Sequence, residues 1–277
     1  MHNERAEATE RVRELNQFLE VAREAAYQAG RFLRDNVEAI GDIQYKGPEN
    51  PVSNIDKGAE RLVLDIIGRA FPDHRIISEE NGQKNASSEY TWVIDPLDGT
   101  INYLHHYRLF STAIALLRGN EVVLGVTYNP VLDEMFTGVR GGGAYLNGKA
   151  IQVSKTRAFN ETLLGVGFPY DRSSEAFHRC MKNFLAFSEN GQAVRRDGST
   201  ALDLCNVACG RYDAFSVAGN EIWDYAAGVL LVAEAGGVVT TFDGAPFLVN
   251  GKSEILASNG KIHDLLLKRT RKKLAGT

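Results

Sequence analysis

The segment 92–102 constrains the fold of this chain more than any other part of the sequence. Its apolar start, residues 92–94, is typical of a buried strand close to its end. Asp95 and Asp98 follow at once. Pro96 lies between them and lacks the N–H that a strand ladder needs, so we predict that the strand stops there. The sequence therefore delivers two carboxylates at the tip of a buried strand.

A glycine and a threonine follow the two aspartates. Gly99 allows a tight turn whose backbone N–H groups point outward, and Thr100 adds a hydroxyl beside them. Two carboxylates, a group of free amides and a hydroxyl suit a Mg²⁺ ion held together with a phosphate. The same residue types also form solvated turns and helix N-caps, so this segment alone leaves both interpretations open.

Two further segments present carboxylates that belong to the same hypothesis. A short apolar strand over residues 75–78 ends at Glu79, so two neighbouring strand ends would bring Glu79 and Asp95 within reach of one metal ion. Asp56 lies at the start of a predicted helix, where a carboxylate is favourable in any case. A catalytic role for Asp56 requires that it meet Thr100 in space.

Hydrophobic periodicity organises the rest of the chain into alternating helices and strands. Helices are predicted over 15–33, 54–70, 175–187, 201–208 and 223–235. Strands are predicted over 75–78, 112–117, 122–128, 135–139, 150–153, 163–168, 212–217, 238–242 and 254–257. Residues 45–51, which include Lys46, are predicted to form an exposed flap, and residues 81–90 a surface loop. The basic tail from Lys268 is predicted as a solvated helix end.

The composition of the 277 residues is that of an ordinary globular protein. The net charge is −4, with 31 Lys and Arg against 35 Asp and Glu, so electrostatics give no case for nucleic acid or a membrane as the main partner. The first residues are polar, and no apolar run is long enough to span a bilayer. Three cysteines do not make a disulfide framework, which is consistent with the reducing cytoplasm where we expect the protein.

Three motifs resemble, in order and spacing, those of the inositol monophosphatase family. This family belongs to the lithium-sensitive, magnesium-dependent phosphatases that also include fructose 1,6-bisphosphatases. The motifs are Ser78-Glu79-Glu80, the segment 92–102, and residues 223–228 together with 234–237. The likeness runs from the first helix to about residue 260. It implies an α+β fold, a layered α-β-α-β-α sandwich of the inositol monophosphatase and fructose bisphosphatase type, which is usually a homodimer.

The resemblance also implies metal ligands and catalytic residues at the matching positions. The ligands of two or three Mg²⁺ ions would be Glu79, Asp95, the backbone carbonyl of Leu97, Asp98 and Asp224. Asp95 would bridge two of the ions. Thr100, hydrogen-bonded to Asp56, would activate the attacking water together with Glu79. Such a mechanism needs no covalent intermediate and no histidine base.

The expected substrate contacts are Gly99, Thr100, Ser199, Thr200, Glu221 and Asp224. The amides of Gly99 and Thr100 would hold the phosphate at a helix N-terminus. Many family members carry a glutamate that binds a sugar or inositol hydroxyl seven residues before the last aspartate, and here that position is Val217. Glu221 is the candidate to replace it, and Lys46 would help to anchor phosphate if it lies near the site.

The expected activity is therefore Mg²⁺-dependent hydrolysis of a small phosphate monoester, with inositol 1-phosphate first. Histidinol phosphate, fructose 1,6-bisphosphate, another sugar phosphate and a nucleotide 3′-phosphate of the adenosine 3′,5′-bisphosphate type remain open. An aspartyl-phosphate mechanism places its nucleophile and acid two residues apart, whereas Asp95 and Asp98 are three apart with Pro96 between them. Another alternative is a regulatory binding partner of the transcription machinery.

No repeat or linker divides the chain into separate domains. We predict two halves packed as one unit. Residues 1–155 would form an α+β half with most of the metal ligands, and residues 156–277 an α/β half with Asp224 and the substrate pocket.

Overall fold

The computed structural model describes residues 2–38, 43–47, 50–80, 82–84 and 86–271. The helices are α1 His2–Asp35, α2 Asn54–Ala70, α3 Thr100–Leu104, α4 Glu175–Asn190, α5 Thr200–Ala208, α6 Ile222–Glu234 and α7 His263–Arg271. The first strands are β1 Ile43–Gly47, β2 Asn50–Ser53, β3 Arg75–Ser78, β4 Gly82–Lys84, β5 Tyr90–Asp98, β6 Ser111–Arg118, β7 Glu121–Asn129, β8 Glu134–Val139, β9 Gly143–Leu146 and β10 Lys149–Ala150. The others are β11 Leu163–Val166, β12 Ala193–Arg195, β13 Ala214–Asn220, β14 Val238–Thr240 and β15 Ser253–Ser258.

The larger sheet has the strand order β10-β9-β8-β7-β6-β5-β3-β4. Only β3 and β5 run parallel within it, and its other neighbours are antiparallel. Every residue of β5 is buried, because helices cover both of its faces. Trp92 and Ile94 pack in a cluster with residues of α1 and α2, whereas Val93 packs with Ala226 and Ala227 of α6. This alternation is what a strand covered on both sides requires.

The smaller sheet has the order β12-β11-β13-β15-β14 and mixes parallel and antiparallel pairs. Helices α5 and α6 pack on one of its faces, and α4 and α7 on the other. The layers are thus α1 and α2, the larger sheet, α5 and α6, the smaller sheet, and α4 and α7. This confirms the predicted α+β fold with its α-β-α-β-α layers. None of the described helices is long and apolar enough to cross a bilayer.

Several local predictions were wrong. β5 does not stop at Pro96 but continues to Asp98, because an irregular pairing between Asp95 and Asp98 leaves the proline without a ladder partner. Residues 45–47 and 50–51, predicted as loop, belong to the antiparallel pair β1–β2, and the loop predicted over 81–90 contains β4. The side chain of Lys46 lies outside the described residues.

Boundaries in the second half also differ from the prediction. The strand predicted over 150–153 is reduced to β10, and the one predicted over 212–217 begins and ends later, as β13. Elements missed from the sequence include β9, β12 and the start of α7. Of the tail predicted from Lys268, residues 272–277 lie outside the described part of the chain.

Candidate active site

Two carboxylates stand at the carboxyl end of β5, where the strand leaves the sheet. Asp95 is 1% exposed and Asp98 is 7% exposed. The backbone N–H of Leu97 donates to Asp95 Oδ1 over 3.0 Å. Gly99 has φ 91°, a left-handed conformation that glycine adopts without strain, and α3 begins immediately after it. The predicted tight turn is therefore present at the tip of β5.

The structure brings Thr100 and Asp56 together. Thr100 Oγ1 lies 3.3 Å from Asp56 Oδ1 and 3.1 Å from the carbonyl oxygen of Leu97. Its single proton can be donated to only one of these acceptors at a time. Asp56 lies in the first turn of α2 and is 1% exposed. The spatial condition for a catalytic role of Asp56 is thus met.

Asp98 is held by four donors. The amides of Thr200 and Ala201 donate to its carboxylate over 3.2 Å and 3.0 Å, and the Ser111 hydroxyl lies 3.4 Å away. The hydroxyl of Ser199, the N-cap residue of α5, also donates to it. The carboxylate faces the positive end of the α5 dipole, which favours its charged form. Asp98 thereby joins β5 of the larger sheet to α5.

Asp224 occupies the first turn of α6. Its Oδ2 accepts from the Glu221 amide over 2.8 Å and from Asn220 Nδ2 over 3.0 Å. The Glu221 carboxylate accepts from the α6 backbone in a capping box and forms an ion pair with Lys252 Nζ at 3.2 Å. The two carboxylates at the start of α6 therefore have different surroundings. Asp224 faces the site, whereas Glu221 caps the helix and pairs with Lys252.

Burial and mutual repulsion perturb these carboxylates. Burial, and then the charges of Glu79, Asp98 and Asp224, raise the pKa of Asp95 well above its usual range. Burial raises the pKa of Asp98 to about 6 despite its four hydrogen bonds. The pKa of Asp224 is raised well above its usual range, first by burial and then by Asp98 and Glu79. Such a set is costly to ionise alone and favours a cation in its midst.

The donor chemistry fits Mg²⁺ in particular. Carboxylate and carbonyl oxygens are hard ligands, and Mg²⁺ takes only a few of them from a protein because it retains waters and binds substrate phosphate. Among the described residues, no group of three or more His, Cys, Asp or Glu side chains converges closely enough to hold a metal ion by itself. The fit to a metal rests instead on the buried, mutually repelling carboxylates of Asp95 and Asp224, whose charge a divalent cation would balance.

A cavity of about 90 Å³ opens beside these carboxylates. Its lining residues are Asp98, Gly99, Ile101, Gly167, Phe168, Tyr170, Arg196, Gly198, Ser199, Thr200, Asp203, Asn220 and Asp224. A neighbouring cavity of about 340 Å³ shares Ile101, Phe168, Tyr170 and Arg196 with it. The two form a continuous depression with an acidic end and a more apolar end.

The model of the inositol monophosphatase family matches residues 14–275 of this chain. The chain belongs to the inositol monophosphatase family. It is accordingly a phosphatase, a phosphoric monoester hydrolase, and the family is generally metal-dependent, typically on Mg²⁺.

The chain is similar in sequence to proteins of this family that carry different names. The chain is 41% identical to an inositol-1-monophosphatase of Synechocystis, over 91% of this chain and 88% of the relative. It is 38% identical to a fructose-1,6-bisphosphatase/inositol-1-monophosphatase of Aquifex aeolicus, with 93% and 97% covered. It is 37% identical to Nus factor SuhB of Escherichia coli, with 94% and 98% covered.

Solved structures of family members superpose on the fold. The inositol monophosphatase of Anabaena matches with a TM-score of 0.82 and 42% identity, over 92% of this chain and 96% of that one. The extragenic suppressor protein suhB of Bartonella henselae matches with a TM-score of 0.87 and 35% identity, over 93% and 100%. The layered sandwich is therefore the fold of the inositol monophosphatase family.

The substrate residues predicted from this family resemblance lie in different surroundings. Gly99, Ser199, Thr200 and Asp224 line the cavity, but Glu221 and Val217 are not among its lining residues. The Ser199 hydroxyl and the Thr200 amide are already bound to Asp98, so their role in the structure is to hold that carboxylate.

Besides Ile101, Gly167 and Gly198, sequence reasoning missed five lining residues, namely Phe168, Tyr170, Arg196, Asp203 and Asn220. Phe168 and Tyr170 follow β11, Arg196 follows β12, and Asp203 lies in the first turn of α5. Asn220 alone carried a usable signal, because a polar residue ends a strand directly before the N-cap of α6.

Proposed function

We propose that this member of the inositol monophosphatase family hydrolyses small phosphate monoesters with bound Mg²⁺, and that inositol 1-phosphate is its principal substrate. The observation that carries the proposal is the contact between Thr100 and Asp56 beside a buried, mutually repelling group of carboxylates. A hydroxyl backed by a carboxylate next to a divalent-cation site suits the activation of water rather than the formation of a covalent intermediate.

Glu79, Asp95, the Leu97 carbonyl, Asp98 and Asp224 would hold two or three Mg²⁺ ions. When bound, the ions would neutralise the phosphate, lower the pKa of a coordinated water and stabilise the leaving alkoxide. With its hydroxyl hydrogen directed to Asp56 rather than to the Leu97 carbonyl, Thr100 Oγ1 would accept a hydrogen bond from the attacking water. As the water loses its proton to Thr100 Oγ1, the threonine proton would pass to the Asp56 carboxylate. Glu79 would assist in orienting that water. The amides of Gly99 and Thr100 lie at the start of α3, where they would bind phosphate oxygens.

The substrate class follows from the cavities. The acidic cavity suits the phosphate with its cations and the part of the alcohol next to the phosphate. The adjoining cavity offers Phe168, Tyr170, Phe177 and the exposed Arg196 to the rest of the leaving group. Val217, at the family's glutamate position, is 1% exposed and supplies no acceptor for a hydroxyl. We therefore infer a broad preference that extends from inositol 1-phosphate to fructose 1,6-bisphosphate, histidinol phosphate and nucleotide phosphates. The names of the Synechocystis and Aquifex relatives support the first two.

The test is phosphate release by the purified protein from that panel of esters. We expect hydrolysis in Mg²⁺, inhibition by lithium, and several hydroxyl-bearing esters turned over within about tenfold of one another. Val217 leaves no buried charged acceptor at its position to discriminate among such esters. Full activity in excess chelator would contradict the metal dependence. A single ester preferred by several orders of magnitude would contradict the breadth.

We propose a second function on the strength of the relatives named Nus factor, namely binding to a transcription complex. An inactive Asp95→Asn variant that still binds purified transcription complexes would separate this role from hydrolysis. We further propose that the protein is a cytoplasmic homodimer, which sedimentation at several concentrations and cell fractionation would test.

A further inference from the structure

The end of β13 places an amide side chain against the acidic cavity. Asn220 is the last residue of that strand, is partly exposed and lines the cavity beside Asp98, Gly99 and Asp224. The motifs that identify the family do not include Asn220. It is therefore a polar group of the cavity wall to which the family motifs assign no role.

A bulge brings Asn220 to that wall. Val217 pairs with Ile255 of β15. Asn220 pairs with Ser253. Asn220 lies three positions after Val217, whereas Ser253 lies only two positions before Ile255, so β13 has one extra residue here. Cross-strand partners point to the same face, so Val217 and Asn220 share one face of the sheet. Gly219 takes up the extra residue with φ 81°, as bulges near active sites commonly do.

Val217 lies one layer behind the cavity wall. A Cβ added to Gly167, which lines the cavity, would stand 2.6 Å from Val217 Cγ2. The apolar side chain thus backs onto a glycine of the wall, whereas Asn220 is part of the wall itself. On this face of the sheet, residue 220 rather than residue 217 therefore presents a polar side chain to the cavity.

The hydrogen bonds of Asn220 define its free atom. Its Nδ2 donates to Thr200 Oγ1 over 2.9 Å and to Asp224 Oδ2 over 3.0 Å. Asp224 Oδ2 also accepts from the Glu221 amide, so this oxygen acts as an acceptor and takes the nitrogen of the Asn220 amide rather than its oxygen. Oδ1 then has no hydrogen-bond partner among the described residues, and it is a neutral acceptor at the cavity.

We propose that Asn220 is a specificity-determining residue whose Oδ1 accepts a hydrogen bond from a hydroxyl of a polyol phosphate. The proposal rests on the phosphatase function proposed above and names the substrate group that the site reads. A neutral acceptor requires a donor, which selects hydroxyl-bearing esters over apolar ones. The donations from Nδ2 fix the amide, so its acceptor is preorganised before substrate binds.

The test compares two esters on the same ring. Inositol 1-phosphate carries hydroxyls around its ring, and cyclohexyl phosphate has none. Removing one hydrogen bond from a polar reader costs roughly tenfold in kcat/KM. We expect Asn220→Leu to lower the ratio of kcat/KM for inositol 1-phosphate to that for cyclohexyl phosphate about tenfold. Asn220→Ala, which removes the same groups with less bulk, should give the same change if the leucine variant fails to fold.

Two measurements separate hydroxyl reading from the positioning of Asp224. Calorimetric titration with Mg²⁺ reports on Asp224, because loss of the Nδ2 donation weakens metal binding without affecting the ratio of the two esters. Asn190→Ala is the matched control, since Asn190 is exposed on α4 and bonds only to the Ala186 carbonyl. Its ratio should equal that of the wild type.

The outcomes are distinct. A wild type that cleaves neither ester in Mg²⁺ overturns the proposed function together with this inference. A wild type that cleaves both, with Asn220 variants that lower both rates equally, overturns this inference alone and leaves Asn220 as a positioning residue of Asp224.

Discussion

At the residue scale, the hydroxyl of Thr100 is the group with the most specific predicted role. Thr100→Val keeps the shape of a 7% exposed side chain but removes the donor to Asp56. We expect kcat to fall about 10²-fold or more, the usual effect of losing a positioned acid–base group. Thr162→Val is the control, because Thr162 is fully buried and donates to the Phe159 carbonyl far from the site. Comparable kcat values in the two variants would remove Thr100 from the mechanism.

The carboxylates predict how the stability of the metal-free protein depends on pH. Folding raises the pKa of Asp98 to about 6 and those of Asp95 and Asp224 well above 3.8, so the folded state binds protons more tightly than the unfolded chain. This stabilisation is complete below the unfolded pKa and is lost as pH rises through the folded values. We expect a higher Tm at about pH 5 than at about pH 7.5 in chelator.

Magnesium should reverse that trend, because its ligands must be deprotonated. The increase in Tm on adding Mg²⁺ is expected to be larger at about pH 7.5 than at about pH 5. Asp98→Asn removes one of the titrating groups and should flatten the metal-free profile. Equal Mg²⁺ stabilisation at both pH values would contradict a site built on these carboxylates.

The site residues divide by how local their signal is. Asp95, Asp98, Gly99 and Thr100 lie within six residues, so their joint chemistry is visible in the sequence itself. The contact of Thr100 with Asp56 spans 44 residues and depends on how α2 packs against β5. The role of Asn220 depends on a bulge, which alternating hydrophobicity does not encode.

At the element scale, helix α6 packs unusually close to the larger sheet. A Cβ added to Gly125 of β7 would lie 2.8 Å from the Ala227 carbonyl oxygen and 3.0 Å from its Cα, both of them backbone. We expect Gly125→Ala to destabilise the protein by about 1–3 kcal/mol through overpacking. Urea denaturation measures this directly.

The same substitution in an open site provides the control. A Cβ on Gly68 of α2 would meet nothing within 4 Å. Gly68→Ala should stabilise by about 0.5–1 kcal/mol, since alanine loses less backbone entropy in a helix. Equal effects of the two substitutions would show that the close approach of α6 to β7 carries no cost.

Elements were predictable where their hydrophobic period was long. The residues of α1, α2, α4, α5 and α6 repeat an apolar stripe over several turns, and these helices were found. β4 and β12 contain three residues each, too few to show alternation. The strand predicted for β5 was too short, because a proline usually ends the hydrogen-bond ladder of a strand. The irregular pairing between Asp95 and Asp98 needs no N–H donor from Pro96, so β5 continues past it.

At the scale of the whole molecule, α6 serves both sheets. Ala226 and Ala227 pack with Val93 of the larger sheet, and Tyr225 and Leu231 share a cluster with Phe215 of the smaller one. We therefore propose that the halves 1–155 and 156–277 unfold together as one unit. The packing of a shared central layer gives neither half a complete core of its own.

The two tryptophans allow a direct measurement of that cooperativity. Trp92 is fully buried in β5 and Trp223 lies at the start of α6. In Trp92→Phe the fluorescence comes from Trp223 alone, and in Trp223→Phe it comes from Trp92 alone. Within each variant, the urea midpoint measured by fluorescence should coincide with the midpoint measured by circular dichroism. Two separated midpoints would show that the halves unfold independently.

The hold of α5 on Asp98 also has a consequence for the order of synthesis. A ribosome delivers the strand with Asp95 and Asp98 about a hundred residues before the donors of segment 199–201, and Asp224 emerges later still. A nascent chain thus carries its acidic tip without the amides that cap it or the carboxylate that completes it. On the mechanism proposed above, catalysis requires synthesis to pass Asp224, so we expect chains released before that residue to be inert toward phosphate esters.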